Sequence, residues 1–282
     1  MSVNKQGNQY VLAETASGIP TFKHIETNEI LHGQVGPYEE AYNLYVKSSS
    51  IENFAQNIVI YDLGMGCGAQ IIAMYNAFLK NKKIPKLTIV SFDLEKQGLI
   101  ALLKNIQLFP YAFEFEILLK KCIEQNHISH FLDDGREFEW IFIEGDFVKT
   151  IKIFEGKFPF ADIVCYDFFS PASHPHLWTY EVFLNLKNHM NPKSKLITYS
   201  SATCVRAAML AAGFFVGFGP LSGKKAKSTI AASSLNLLEE PLPLSWQTTF
   251  YRSGAKFCSV ESEVSQQTIL EALNSHPQWF PI

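Results

Sequence analysis

The sequence predicts an α/β fold, a doubly wound and mostly parallel sheet with an antiparallel edge, and three observations carry that prediction. An apolar run, IVIYDL, ends at a glycine turn, GMGCG, which opens a helical pattern. Further apolar strands follow in alternation with amphipathic stretches, the order of elements that builds a parallel sheet with helices on its faces. The last two apolar segments, GFFVGFGPL and STIAAS, are joined by the short basic loop SGKKAKS, which suits an antiparallel pair and is too short for a crossover.

The first strand and its turn occupy residues 58–68, with Asp62 at the strand end and Gly64, Gly66 and Gly68 at alternate positions. Glycines there let the backbone turn sharply and approach a ligand closely. From Ala69 to Leu79 the residues Ile71, Ile72, Met74, Tyr75, Phe78 and Leu79 recur at helical spacing, so the turn lies at a helix N-terminus. The second strand, KLTIVSFD, ends at Asp93 and precedes a helix with Leu99, Ile100, Leu102, Leu103 and Ile106 on one side. Strands are expected at 137–146, 161–169 and 195–200, then a helix at 205–212 and the final pair. Residues 1–50 read as an N-terminal extension, 51–234 as the core and 235–282 as a C-terminal extension. Within the last, VSQQTILEALNSHPQW is expected to hold a short helix packed on the sheet or a neighbour.

Composition narrows the function classes. The 282 residues are 47% apolar, enough for one large domain with its own core, and the net charge of −3 argues against a broadly basic nucleic-acid binder. Cys67, Cys122, Cys165, Cys204 and Cys258 are scattered and lack CxxC spacing, the usage of reduced intracellular thiols. The N-terminal stretch has no apolar core of a secretory signal, and residues 207–221 are too short and too glycine-broken to span a bilayer, so a cytoplasmic location is expected. No metal site is expected: the pairs His174 with His176 and His127 with His130 have no third ligand nearby and read as loop residues.

The glycine turn fits two cofactor classes. Gly64, Gly66 and Ala69 satisfy GxGxxA, a dinucleotide fingerprint, whereas Asp62 with the three glycines gives DxGxGxG, which resembles the first motif of Rossmann-like S-adenosylmethionine-dependent methyltransferases. Asp62 favours the second, because a carboxylate repels pyrophosphate but can help hold an ammonium group, directly or through water. Ligands of open α/β sheets bind beyond the carboxyl ends of the strands. There Asp93 can accept both hydroxyls of a ribose and Asp146 a hydrogen bond from an adenine amino group; a plain helix cap is the competing reading of each.

The fourth strand runs into YDFFSPASHPHLW, residues 166–178, an acid followed by aromatics and proline that resembles the substrate side of amino-group methyltransferases. Asp167 would accept a proton or orient the amine, and Phe168 and Phe169 would wall the substrate base, unless they are ordinary core. Arg206, Lys224, Lys225 and Lys227 are the residues expected to meet RNA phosphates, against the plainer reading of a solvated surface.

Several further segments resemble one family, the methyltransferase domain of the bacterial bifunctional enzyme MnmC and its stand-alone relatives, which make 5-methylaminomethyl-2-thiouridine at the tRNA wobble position. GPYEEAYNLYV (36–46) is similar to that family's GLEExxYVF, DFFSPASHPHLW to DGFAPAKNPxMW, SATCVRAAMLAAGF (201–214) to TSAxxVRRxLxxAGF, GKKAKS to GRKREM, and RSGAKF (252–257) to a C-terminal segment. The resemblance implies a class I methyltransferase fold, S-adenosylmethionine as cofactor and tRNA bearing an aminomethyl wobble uridine as substrate. It puts Asp62, Gly64, Gly66 and Gly68 at the methionine part, Asp93 at the ribose, Asp146 at the adenine, Asp167 at the reacting amine and Glu39 over the cofactor. Departures fall at Phe168, Ser173, Ala207 and Ala226, where the family has glycine, lysine, arginine and arginine. They bear on the acceptor more than on the cofactor. No flavin-binding oxidase segment accompanies the domain, so a separate enzyme is expected to supply the aminomethyl group. Another amine acceptor, a non-catalytic cofactor- or RNA-binding relative, and a nicotinamide oxidoreductase are the alternatives.

Overall fold

A computed structural model describes residues 9–32, 35–153, 156–221 and 226–280. The chain opens with an antiparallel hairpin that the sequence reading left inside an undivided extension, β1 (Tyr10–Glu14) and β2 (Pro20–His24), in register from Tyr10 with His24 to Glu14 with Pro20. After residue 35 a helical stretch begins on Pro37 as α1 (Pro37–Ala41), widens into a π turn at Tyr42–Val46 and closes as α2 (Lys47–Ser49). Proline suits that first position because its missing N–H would lack a helical partner there in any case.

The core then alternates as expected: β3 (Ile58–Leu63), α3 (Ala69–Lys80), β4 (Lys86–Asp93), α4 (Gln97–Lys104) and α5 (Glu116–Gln125). β5 (His127–Phe131) is an unforeseen strand, antiparallel to β6 (Glu137–Glu144), so His127 and His130 sit on an edge strand and not in a loop. α6 (Phe147–Thr150), β7 (Ala161–Tyr166), α7 (Tyr180–Lys187), β8 (Met190–Thr198), α8 (Thr203–Ala211), β9 (Phe215–Leu221) and β10 (Lys227–Ala232) complete the core, followed by α9 (Trp246–Arg252) and α10 (Glu263–Ser275). β7 ends three residues earlier than expected, since the Asp167 N–H makes the last bond to the Leu63 carbonyl before the chain leaves the sheet.

The large sheet has the order β5-β6-β4-β3-β7-β8-β10-β9, with β6, β4, β3, β7 and β8 parallel and β5, β10 and β9 antiparallel to their neighbours. Because side chains alternate along a strand, β3 sends Ile58 and Ile60 into a core under α3 and α5, and Tyr61 and Leu63 into a second core under α7 and α8. α10 packs on α8, and Trp246, Phe250, Ile269, Leu273 and Trp279 join that second core, so the C-terminal helix rests on a helix and not on the sheet. Gln278 completes the β9 edge by accepting from the Val216 N–H at 2.7 Å and donating to the Val216 and Leu242 carbonyls. Such a clamp removes open ladder groups that would otherwise pair with another chain. Among the described residues no helix is long and apolar enough to cross a membrane.

Candidate active site

The carboxyl ends of β3, β4, β6, β7 and β8 converge on a cavity of about 510 Å³, roofed by residues 29–32 that follow the hairpin and by the α1 stretch. The glycine turn forms its floor. Gly64, Gly66 and Gly68 have φ of 80, 53 and 77°, the left-handed region that only glycine enters without strain. A Cβ on Gly64 would stand 2.8 Å from the backbone of Asp167 and Phe168, so glycine here is what lets the ends of β3 and β7 meet. At Gly66 a Cβ would meet nothing nearer than Leu31 at 3.9 Å, and the turn faces the cavity with bare backbone. Gly68 lies just before α3, off the cavity, packed against Leu99.

Asp93 lines the cavity with both oxygens already anchored: Oδ2 accepts from the Gly66 N–H at 2.9 Å and Oδ1 from the Leu94 N–H at 2.7 Å. Burial outweighs those bonds and lifts its pKa to about 6. A carboxylate offers about four lone-pair sites, so acceptor capacity remains for ligand hydroxyls. Asp146 combines the two readings open for it, since it caps α6 through the Val148 N–H at 3.0 Å, pairs with Lys149 at 3.3 Å and also lines the cavity.

Asp62 is placed differently from expectation. It shares the face of Ile60, beneath the first turn of α3 near Ser91 and Gln70, is 1% exposed and does not line the cavity. Its side chain therefore does not face the cavity where the expectation placed it at a ligand ammonium. Burial raises its pKa to about 8, with the charges of Asp167 and Asp93 adding and Ser91 and Gln70 opposing.

Asp167, Phe168 and Phe169 all line the cavity. The Phe168 ring rests on Phe147 and Tyr166, centroids 5.4 and 5.2 Å away, while its carbonyl accepts from the Tyr199 hydroxyl at 2.9 Å. Phe169 is flanked by the rings of His24 at 4.7 Å and His174 at 5.1 Å, which occupies much of the surface expected to wall a substrate base. Tyr45 and Tyr199 stand near Asp167; burial first and the Asp167 charge second raise both phenol pKa values, so both remain hydrogen-bond donors.

Other expected residues fall outside the cavity. Glu39 is exposed, and its neighbour Glu40 turns inward instead, because adjacent residues on a helix point about 100° apart. Arg206 is buried at 7% exposure: Nε donates to Thr229 Oγ1 at 2.9 Å, Nη2 donates to the Lys227 and Ser228 carbonyls, and the guanidinium lies 4.9 Å from the Phe218 ring. It joins α8 to β10 and is not placed to touch RNA. Lys227 pairs with Glu240. Lys224 and Lys225 lie outside the described residues.

Residues 29–32 and Tyr199 were missed because their segments carry no motif; Glu40, Tyr45, His174 and His176 lie inside the quoted segments 36–46 and 166–178, but nothing in the sequence there shows which side chains turn toward the cavity. The described lining includes the carboxylates of Glu29, Glu40, Asp93, Asp146 and Asp167 and neither lysine nor arginine. Its field therefore favours cationic ligands and disfavours phosphates. A sulfonium nucleoside that also carries an ammonium group fits this lining, the bare Gly66 backbone and the spare acceptor capacity of Asp93. No group of three metal-binding side chains occurs among the described residues.

A family of S-adenosyl-L-methionine-dependent methyltransferases matches residues 116–234. The chain is 30% identical over 229 residues to an uncharacterized protein of Methanocaldococcus jannaschii, covering 81% of this chain and 61% of that protein. It is 28% identical over 175 residues to the tRNA 5-methylaminomethyl-2-thiouridine biosynthesis bifunctional protein MnmC of Ectopseudomonas mendocina, covering 57% of this chain and 25% of that one. The chain thus spans less than two thirds of the length of either relative. The crystal structure of MNMC2 from Aquifex aeolicus superposes with a TM-score of 0.70 at 23% identity, over 99% of this chain and 88% of that one. The fold is the class I, Rossmann-like fold of S-adenosylmethionine-dependent methyltransferases, and S-adenosylmethionine is the cofactor it takes.

Proposed function

We propose that this protein is an N-methyltransferase that methylates the aminomethyl group of a tRNA wobble uridine, giving 5-methylaminomethyl-(2-thio)uridine. The observation that carries the amine reading is the acidic, lysine- and arginine-free lining around Asp167, which stabilises an ammonium substrate beside a cationic cofactor. The tRNA part is supported by the ordered motifs from GPYEEAYNLYV to GKKAKS and by similarity to enzymes named for that modification.

Bound in the cavity, S-adenosylmethionine supplies an electrophilic methyl group on a sulfonium. The residues of the chain do the rest. In this reading Asp93 takes the ribose hydroxyls, the Gly64–Gly66 backbone lies along the methionine part and Asp146 accepts from the adenine amino group; all four residues line the cavity. Asp167 orients the acceptor nitrogen and stabilises the positive charge that grows on it. Tyr199 donates to the Phe168 carbonyl at 2.9 Å, and the Tyr45 phenol stands near Asp167.

The test is transfer of labelled methyl from S-adenosylmethionine to tRNA carrying 5-aminomethyluridine at the wobble position. Wild type is expected to label it, and Asp167→Asn to lose about 100-fold or more in kcat while binding S-adenosylhomocysteine normally. Wild-type turnover in Asp167→Asn would move the reacting centre elsewhere. A smaller amine acceptor is the second reading, favoured by the burial of Arg206 and the pairing of Lys227, and labelling of free aminomethyl nucleoside as efficiently as of tRNA would select it.

A further inference from the structure

We infer that His32, held by Glu40, takes the proton from the acceptor ammonium before methyl transfer, an inference that rests on the N-methyltransferase reading above. His32 lies on the cavity wall with Glu40 and Asp167, and its Nδ1 stands 3.7 Å from Glu40 Oε2. The other Glu40 oxygen, Oε1, accepts from the Val35 N–H at 3.1 Å, so the carboxylate is tied to the segment that carries the histidine. His32 has φ 54°, in the left-handed region that few residues other than glycine enter and that histidine enters more readily than most. That backbone places an imidazole on a wall it shares with the carboxylates of Glu40 and Asp167.

The charges around it set the direction of its titration. Burial pulls the imidazole pKa down, but Glu40 and Asp167 together outweigh it and the net shift is upward from 6.5. The carboxylates of Glu29, Asp93 and Asp146 also line the cavity, and each favours a proton there. His174 and His176 belong to the same wall; the His174 pKa is lowered, by burial first and His176 second, so it is the weaker base. The phenols of Tyr10, Tyr45 and Tyr199 are raised by burial and are donors only. Asp167 is committed by its charge to the ammonium and the developing cation, and among the described cavity imidazoles His32 is the one paired with a carboxylate, which suits it to take a proton near neutral pH.

The step balances. The acceptor nitrogen enters as an ammonium and gives one proton to His32 Nε2, whose basicity Glu40 supports through Nδ1. Its lone pair then forms the N–C bond as the S–C bond breaks and that electron pair stays on sulfur. The product is a secondary ammonium and a neutral thioether, and His32 returns its proton to solvent.

Two arms test this. In protein saturated with S-adenosylhomocysteine, the ¹⁵N resonances of the His32 ring are expected to titrate above 6.5 and to move to lower pH in Glu40→Gln. An imidazole that titrates at or below its ordinary value, or ignores Glu40→Gln, overturns the proposal. In the second arm, His32→Gly is chosen because a left-handed backbone suits glycine and the variant leaves room for free imidazole. With aminomethyluridine tRNA, wild-type kcat/KM is expected to rise with pH through the His32 titration. His32→Gly should lose about 100-fold in kcat, keep its affinity for S-adenosylhomocysteine and recover partly with added imidazole. Wild-type kcat in His32→Gly, or a loss that imidazole does not touch, overturns it. Failure of wild type to methylate that tRNA at any pH refutes the substrate reading instead, and the NMR arm still decides whether Glu40 raises His32.

Discussion

Asp62 sits two residues before the glycine turn begins, yet the alternation of β3 turns its carboxylate under α3, where burial holds its pKa near 8. In the unfolded chain the same group titrates near its ordinary value of 3.8. Between those values the native state binds a proton that the unfolded state has lost, so its contribution to stability is full below about pH 4 and fades as pH rises toward 8. Asp93, at about 6, and Glu261, at about 7, act in the same direction. Asp62→Asn removes the first of these effects and keeps a donor for Gln70 Oε1, which accepts no hydrogen bond from the described residues. Its Tm is expected to match wild type near pH 4 and to exceed it by several degrees at pH 8, the gap growing by at most about 1.4 kcal/mol per pH unit. A gap independent of pH in thermal melts of the cofactor-free protein would show that Asp62 is ionised in the fold.

At the level of elements, α8 and the β9–β10 hairpin share the second core and are tied together by the buried Arg206. Arg206 satisfies the carbonyls of Lys227 and Ser228 and the Thr229 hydroxyl, and burial lowers its pKa to about 10. Arg206→Ala strands those acceptors and empties the space beside Phe218, so a loss on the order of 3 kcal/mol is expected, measured by denaturant unfolding. The same variant should leave the salt dependence of any tRNA methylation unchanged, whereas a phosphate-contacting arginine would flatten it. From sequence, Arg206 read as a phosphate contact because it lies on a late element near the expected substrate edge, although the apolar residues around it in α8 already mark a buried helix. Its partners come from elements 12 to 23 residues further along the chain, at Phe218, Lys227, Ser228 and Thr229.

Over the whole molecule the charge is divided between an acidic cavity and cationic residues elsewhere. If tRNA is the substrate, its phosphates must be met outside the cavity, and the loop carrying Lys224 and Lys225 is the basic segment nearest in sequence to the antiparallel edge. Lys224→Ala with Lys225→Ala is expected to raise KM for tRNA and to flatten its logarithmic salt slope by up to about two contacts' worth of counterion release. Cofactor affinity should stay constant, which calorimetry with S-adenosylhomocysteine checks. Identical salt slopes in the double variant and wild type would remove this loop from the RNA-binding surface.

What the sequence determined by itself is local in kind. Residues 58–68 carry the strand, the positive-φ turn and the helix start within eleven positions, because the constraints on Gly64, Gly66 and Gly68 come from their own backbone and their nearest neighbours. The strand ends at Asp93, Asp146 and Asp167 were legible for the same reason, since a parallel sheet puts all its carboxyl ends on one rim. The tertiary structure alone decided which side chains face that rim from elsewhere. The hairpin of Tyr10–His24 leads into His32, which no motif marks, and the turn of a helix brings in Glu40 in place of Glu39 within a motif that does not say which of the two faces inward; each depends on how a separate segment folds back over the sheet. Burial likewise withdrew Asp62 and Arg206 from the roles their types suggested, because burial is a property of the neighbours that packing supplies and not of the residue.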